Sequence, residues 1–411
     1  MSAAELQTPI LEGGIRSVNF FNGRLLTARD LSREQEANVE GHRRLGQAIG
    51  AGIAYGLEVS KPVASTPSSP IITVEAGLAV NRRGQTLALK SRTDVSLVRQ
   101  LNGASGSTKI FVTCQPLQAG AYVAGAGVYL LTIAPAEAPE GRALNSGVSN
   151  TAATCATDAI VDGVQFRLLQ LTVSASDLAD PTHLRNRVAY QCFGVADPKR
   201  KTFETNPFGP PLERYGIIDD LHDTCLSDCD VPLAVINWTA SGGVVFIDLW
   251  AARRSITEPS ASGRWSPLVN CRRESEAKAM FLQFAEQLRE IRENEANLNT
   301  FVASTRFDYL PPVGLLPTAN VGSAPGFTYQ KFFDQQAYHV PVFLEGAMVN
   351  PLIDMSLNFA PLSLANKDPI KLFNVVDGPT TRPYVLFISA YVLFQAEARF
   401  DITRWNFSNF A

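Results

Sequence analysis

Alternation of apolar and polar residues with a period of two is the feature that most limits how this chain can fold. The alternation runs through residues 54–98, returns at 109–115, 128–135 and 164–173, and appears again after residue 304. This period is typical of half-buried strands, and the Gly, Pro, Ser and Asn residues between the runs are typical of turns. Short strands at this spacing predict an antiparallel sandwich or an open barrel.

Two hairpins and one long loop are expected within the first half of the chain. Asn81-Arg82-Arg83-Gly84 lies between two alternating runs and predicts a hairpin turn. A second hairpin is predicted across Thr239 to Gly242, between VPLAVINW and GVVFIDLW. The stretch 134–163 is rich in Ala, Gly, Ser and Thr, which predicts a long loop that could serve as a contact surface.

An N-terminal helix is indicated by a capping signal. Thr27 is followed three residues later by Asp30, a pattern close to a capping box. The helix is expected to run from residue 28 to about residue 49. Its surface is mostly polar, with Leu31, Val39 and Leu45 as its few apolar anchors.

A second, longer helix is predicted to begin at Asn270 and to end near Ala303. Its apolar positions follow a heptad spacing: they are Ala277, Phe281, Phe284, Leu288, Ile291, Leu298 and Val302. This narrow seam has two interpretations of equal weight, namely packing on the N-terminal helix of the same chain or self-association as a coiled coil. We predict the second, because the large seam side chains need burial and neither flanking β-unit needs this helix to complete its core. Glu295 is consistent with this prediction, since a polar residue within a seam can fix its register. The predicted oligomer interface is Phe281, Phe284, Leu288, Ile291 and Leu298.

These patterns together predict a mainly β chain with α-helices. An N-terminal segment with its helix occupies 1–53, and an antiparallel β-sandwich or barrel occupies 54–265. The long central helix forms a neck at 266–303, and an all-β domain follows at 304–411.

Composition excludes several classes of function. The 411 residues carry a net charge of −3, so no basic excess is present to neutralise a phosphate backbone, and no nucleic-acid partner is expected. The N-terminal residues lack the features of a signal peptide, and no apolar run is long enough to span a membrane. Synthesis and residence in the cytoplasm are expected, unless a larger particle carries the chain out.

Sequence motifs for catalysis or cofactor binding are absent, and no catalytic, cofactor-binding or metal-ligating residue is predicted. One cluster, His222, Cys225 and Cys229, has side chains suited to zinc, but a fourth ligand would have to come from a carboxylate or from a distant cysteine such as Cys271. We interpret it as a polar loop with two small buried thiols.

Both ends of the chain resemble uncharacterised proteins encoded with phage-tail-like contractile injection systems. The similar segments are NFFNGRLLTARDL with Gln35, GLEV and ITVEAGLAVNRRGQTLAL near the start. FDYLPPVG, VFLEG and ARFD through WNFSNFA are the similar segments near the end. A more distant similarity of layout is to the trimeric baseplate adaptor of type VI secretion, a fold-level analogy.

The resemblance implies a structural subunit, namely a baseplate or fibre-like component. A further alternative is a shell or cap protein of the same particle. The N-terminal region would bind the particle, with Phe20, Phe21, Arg24, Leu25 and Leu26 as candidates. The C-terminal region would bind a partner, a receptor or a membrane-anchored protein, with Arg399, Arg404, Trp405 and Phe407 as candidates. A homo-oligomer, by analogy a trimer, is expected. The alternative is a carbohydrate-binding or carbohydrate-processing protein on a β-scaffold, which paired carboxylates in an aromatic cleft would support.

Overall fold

The computed structural model confirms a mainly β fold with an N-terminal helix and a long central helix. It describes residues 11–97, 126–144, 155–200, 214–239, 241–256, 272–318, 325–334, 336–377 and 380–392. Within these ranges the sheets do not close into a barrel. The C-terminal interface candidates Arg399, Arg404, Trp405 and Phe407, and the expected helix cap Asn270, lie outside the described residues.

The N-terminal helix α1 has the bounds that its capping signal predicts, Ala28–Ile49. The Thr27 hydroxyl accepts a hydrogen bond from the Asp30 amide, while the Asp30 carboxylate accepts one from the Thr27 amide. This reciprocal pair satisfies two of the amides that a helix start leaves without partners.

Six short strands follow α1 and form two three-stranded antiparallel sheets. They are β1 (Gly52–Gly56), β2 (Val59–Ser60), β3 (Ile71–Val74), β4 (Gly77–Val80), β5 (Thr86–Leu89) and β6 (Thr93–Ser96). The predicted hairpin at 81–84 is confirmed: β4 pairs with β5, and the Gly84 amide donates to the Asn81 carbonyl at 2.9 Å.

A long hairpin, β7 (Gly127–Leu144) with β8 (Cys155–Gln170), occupies most of the stretch that we expected to be a loop. That prediction is wrong because residues 138–142 and 157–163 are exposed on both faces of the ribbon, so their sequence shows no apolar alternation. The predicted hairpin near Thr239 is confirmed as β9 (Val231–Thr239) and β10 (Gly243–Asp248). The four strands form one sheet in the order β10-β9-β7-β8.

Three helices pack on this sheet or on one another. They are α2 (Ala175–Leu178), α3 (Pro181–Cys192) and α4 (Leu249–Ala252), and a 3₁₀ turn lies at Asp219–Asp223. Two of the helices, α3 and α4, pack on one side of the sheet, and the short helix α2 packs on α3. Sequence periodicity missed α3 because its residues are buried on nearly all sides, so no apolar stripe distinguishes it. Asp180 followed by Pro181 is a helix-start signal that could have revealed it.

The central helix α5 spans Arg272–Asn294 and is therefore shorter at its end than predicted. After it, Leu298 lies in a separate 3₁₀ turn, Leu298–Thr300, in which the Asn299 amide donates to the Asn297 side chain at 3.2 Å. Such side-chain bonds to the backbone compete with helix continuation. No helix in the described ranges is both long and apolar enough to cross a membrane.

The C-terminal part of the described chain contains a four-stranded sheet in the order β12-β16-β15-β13. Its elements are β11 (Tyr309–Leu310), β12 (Val313–Pro317), α6 (Tyr329–Phe332), β13 (Val342–Glu345), α7 (Val349–Ser356), β14 (Leu362–Ser363), β15 (Ile370–Asp377) and β16 (Thr380–Ser389). The pairing of β13 with β15 is parallel, whereas the other pairs of this sheet are antiparallel. The region thus includes helices that strand alternation did not predict.

The seam of α5 is buried within its own chain, which corrects its prediction as an oligomer interface. Phe284 and Leu288 are 1% and 3% exposed, and Ile291 and Leu298 are also buried in the same core. Phe281 packs on a neighbouring core that includes Val313 and Leu344. The alternative, packing on the N-terminal helix, is also wrong, because the faces of the C-terminal sheet supply the apolar surface instead.

Candidate functional site

Exposed large hydrophobic side chains of the described chain are concentrated at its N-terminal side. It consists of the N-terminal arm, residues 11–27, and α1. The exposed large side chains here are Leu11, Ile15, Phe20, Phe21, Leu25, Leu26, Leu31, Val39, Leu45 and Ile49. Between residues 11 and 52, Val18 is the single buried hydrophobic side chain. Apolar surface gathered in this way is typical of an interaction site rather than of a free surface.

The N-terminal arm runs antiparallel to α1 and is fixed to it by polar contacts. The Val18 amide donates to Glu34 Oε2 at 3.0 Å, and Arg44 Nη2 donates to the Gly13 carbonyl at 2.6 Å. Arg24 pairs with Asp30 at 2.6 Å, at the first turn of the helix. The Thr27 hydroxyl and amide, and then Arg24, hold the pKa of the Asp30 carboxyl at about 2. Because these contacts are polar, the apolar side chains of the arm stay uncovered.

The described contacts between α1 and the β-sheets lie at the end of the helix. Gly46 faces Gly84 so closely that a Cβ atom on Gly46 would lie 2.1 Å from the Gly84 carbonyl oxygen. Gln47 Nε2 lies 3.5 Å from the Arg83 carbonyl oxygen. The rest of the helix, with the N-terminal arm along it, therefore extends away from the sheets.

The five residues predicted to bind a particle all lie on the N-terminal arm. Phe20, Phe21, Leu25 and Leu26 are 54%, 62%, 89% and 53% exposed. Arg24 has a different role, because it is half-buried, pairs with Asp30 and lies 5.9 Å from the centre of the Phe21 ring. Phe21 thus lies against the anchored cation Arg24, and four exposed apolar side chains fall within seven consecutive residues.

A cleft of about 820 Å³ lies between β2, β10 and α5 and is lined by Glu58, Lys61, Trp250, Glu286 and Glu290, among others. Burial, and then the nearby Asp248 carboxylate, raises the pKa of Glu286 to about 7, although Arg185 opposes the shift. Glu286 Oε2 is buried without a hydrogen-bond partner. No sequence motif marked this group, because its members are far apart along the chain.

Arg185 organises the charges behind this cleft. Its guanidinium donates to Asp248 Oδ2 at 2.9 Å, forms a hydrogen bond with Glu290 and lies 3.9 Å from Glu286. Gln283 also donates to Asp248 Oδ2, at 2.9 Å. Three carboxylates therefore share one buried cation.

A second cleft of about 590 Å³ includes Arg82, Asp219, Arg272 and Glu276 in its lining. Arg272 pairs with Asp219 at 2.6 Å and with Glu276 at 2.8 Å. The cations and carboxylates of this cleft largely satisfy one another, so it presents little unpaired charge to a ligand.

The residues of the cluster weighed for zinc are not arranged around a common point. His222 Nε2 faces Arg82 Nη1 at 2.9 Å, and burial, followed by the charge of Arg82, lowers the pKa of His222. Cys225 is an exposed free thiol, whereas Cys229 is buried and disulfide-bonded. The expectation of two buried thiols is therefore wrong for both residues. Across the described residues, no group of three or more His, Cys, Asp or Glu side chains could hold a metal ion.

The N-terminal arm with α1, and the acidic cleft beside α5, are thus the two candidate sites. The first offers exposed apolar surface, and the second offers a carboxyl group whose pKa lies near neutrality. Compared with known proteins, the sequence matches no family model and no curated protein.

Proposed function

We propose that this chain is a non-enzymatic structural or adaptor subunit of a phage-tail-like contractile injection particle. The N-terminal arm binds the particle, and the C-terminal region binds a partner, a receptor or a membrane-anchored protein. The chain is made in the cytoplasm, joins the particle there and forms a homo-oligomer, by analogy a trimer. The resemblance of both chain ends to proteins encoded with such systems suggests the type of particle.

The exposure of the N-terminal arm is the observation that carries this proposal. Burying a Phe or Leu side chain contributes about 1.5–3 kcal/mol, so leaving Phe20, Phe21 and Leu25 in water forgoes a large stabilisation. Most of the stability of a helix in a protein comes from the packing of its apolar face, and in α1 only Gly46 is buried. A partner that covers the N-terminal arm would bury its apolar side chains and would also provide packing for α1.

The test measures whether the chain is incorporated into particles. The full chain would be expressed in cells that encode the whole system, and contractile particles would be isolated by sedimentation. A Phe20→Ser, Phe21→Ser, Leu25→Ser variant is expected to lose at least about tenfold of its particle-bound fraction, because each change removes buried apolar area worth over 1 kcal/mol.

A matched control uses three other exposed apolar residues, in Val63→Ser, Val340→Ser, Tyr391→Ser. This variant should remain in particles as the unaltered chain does, and both variants should keep the circular dichroism of the folded protein. Wild-type chain missing from the particles, or an arm variant retained at the wild-type level, would contradict the proposal.

The acidic cleft favours the alternative function, a carbohydrate-binding or carbohydrate-processing protein. Trp250 lies in the lining with Glu58, Glu286 and Glu290, and a carboxyl group with a pKa of about 7 is suited to act as a general acid. Hydrolysis of any oligosaccharide in a panel, abolished by Glu286→Gln with the fold intact, would establish this alternative. Absence of turnover and of calorimetric binding would remove it.

A further inference from the structure

We infer that one face of α1 is a self-association seam that pairs in parallel with the same face of a second copy. This inference deepens the homo-oligomeric part of the proposed function and rests on that part. This face of α1, called the outer row below, consists of Leu31, Gln35, Asn38, His42, Leu45 and Ile49. Its spacings are four, three, four, three and four residues, the heptad spacing that keeps side chains on one stripe of a helix. All six side chains are exposed.

The charges of α1 lie outside the outer row, and the nearest of them, Glu34, lies at the edge of the row and accepts a hydrogen bond from the Val18 amide. At 100° per residue, the opposite half of the helix carries Arg29, Arg33, Glu36, Glu40, Arg43 and Arg44. The outer row has no Asp, Glu, Lys or Arg, and Val39, which flanks it, is also exposed. Two copies can therefore bring these faces together without opposing like charges.

The polar residues of the outer row point to a second copy as the partner. A side-chain amide has two donors and an acceptor, and a neutral imidazole has one of each, so each can bond to its own counterpart. In the free chain Asn38 uses one donor on the Glu34 carbonyl at 2.9 Å, which leaves its second N–H and its oxygen. A lipid surface or a wholly apolar groove would bury Gln35, Asn38 and His42 without partners, at a cost in free energy.

The order of the row favours a parallel pairing. In a parallel pair, Leu31, Leu45 and Ile49 meet their own counterparts, as do the polar residues between them. In an antiparallel pair, Gln35 would face Leu45, and its amide would be buried without a partner. Polar layers between apolar ends are also the arrangement that fixes a single register.

The outer row of α1 is open to a partner, whereas the seam of α5 is not. The α5 side chains Phe284 and Leu288 are buried in their own chain. The N-terminal arm lies beside the outer row, through Glu34 and Arg44, and leaves all six side chains of the row exposed. The outer row thus stays accessible to a second copy of the chain while the N-terminal arm binds the particle.

The test compares two variants of the full chain that add the same residue on the same turn. Leu45→Lys, Ile49→Lys places two charges in the outer row, and Gln47→Lys, Ala48→Lys places them on other faces of the same turn. Light scattering over a range of concentrations should show an oligomer for wild type and for the control. The row variant should dissociate at concentrations at least about tenfold higher than wild type does. A monomeric wild type, or a row variant with unchanged association, would overturn the inference.

Cross-linking decides the case in which the row variant does not fold. Asn38→Cys and Glu40→Cys would each be made with Cys225→Ser, which removes the exposed native thiol. In a parallel pair Asn38→Cys meets its own counterpart, so oxidation should yield a covalent dimer, whereas Glu40→Cys should not. Equal or absent cross-linking for both overturns the inference.

The outcome is separable from that of the proposed function. The Phe20→Ser, Phe21→Ser, Leu25→Ser variant should keep the wild-type mass in solution while losing particle binding. If the chain does not self-associate, the inference about α1 is wrong, but the proposed binding to a particle is still tested by the incorporation experiment.

Discussion

Gly46 and Gly84 fix α1 to the sheets through direct contact of their backbones. A Cβ atom on Gly46 would meet the Gly84 carbonyl oxygen at 2.1 Å, and Gly84 itself has a φ of +77°. Gly41, five residues earlier on the same helix, has no atom within 4 Å of such a Cβ position. The close approach of the two backbones therefore requires glycine at position 46, whereas position 41 has room for a side chain.

Alanine at these two positions should have opposite effects. Gly41→Ala should stabilise α1 by up to about 1 kcal/mol, because alanine favours a helix more than glycine does. Gly46→Ala should release the helix from the 81–84 turn, because neither backbone can move without breaking local structure. Hydrogen exchange of the α1 amides should slow in the first variant and accelerate in the second. The same response to both would show that the glycine contact does not hold the helix.

Glu286 should make the stability of the whole chain depend on pH. Its pKa is raised from 4.5 to about 7 by burial, so between these values the unfolded chain loses this proton while the folded chain keeps it. The unfolded state then binds fewer protons, and stability falls as pH rises from about 4.5 to about 7. The full loss is on the order of 3 kcal/mol.

Glu286→Gln should remove this loss, because an amide does not ionise. Denaturant unfolding of wild type and variant at pH 5 and pH 8 measures the effect. The variant should show the smaller decrease in unfolding free energy between the two pH values. An equal decrease in both would place the responsible group elsewhere.

At the level of elements, prediction from sequence succeeded where local signals are sufficient. The capping pair Thr27 and Asp30 located α1. It failed where tertiary surroundings decide: residues 138–142 and 157–163 of the β7 and β8 ribbon lack apolar alternation because both faces are exposed there, and α3 lacks a stripe because it is buried. The heptad spacing of α5 was recognised, but spacing alone does not say which chain supplies the opposite surface.

For the candidate site too, sequence alone indicated the residues of the N-terminal arm but not their surroundings. The sequence indicated Phe20, Phe21, Leu25 and Leu26 through resemblance, whereas their exposure depends on how the arm lies along α1. The acidic cleft had no signal in the sequence, because Arg185, Asp248 and Glu286 meet only through the packing of α3, α4 and α5.

Charged residues introduced into the seam of α5 should unfold the chain. Leu288→Asp, Ile291→Asp buries two unpaired carboxylates among Phe307, Leu316 and their neighbours, which has a large cost in free energy. Lys278→Asp, Glu293→Asp, at exposed positions of the same helix, should leave the fold intact. Circular dichroism and light scattering measure both outcomes. A folded double seam variant of reduced mass would instead restore the seam as an oligomer interface.

On the scale of the whole molecule, α5 joins the two halves of the described chain. Met280 lies in the core that α3 and α4 form with the β7–β9 part of the sheet. One turn later, Phe284 contacts the rings of Phe307 and Phe387 at 5.5 and 5.3 Å between centroids. The Asn186 side chain of α3 also accepts hydrogen bonds from the Asp308 and Tyr309 amides, at 2.9 and 3.0 Å.

These links predict that the two halves unfold together. Met280→Ala and Phe284→Ala each leave a cavity in a different core, at a cost of about 2–5 kcal/mol. Since both side chains belong to one helix, neither core can open without loosening the other, so both variants should lower the temperature of the same single transition. Calorimetry should then give equal calorimetric and van't Hoff enthalpies for that transition. Two endotherms, of which each variant shifts a different one, would show that α5 does not couple the halves.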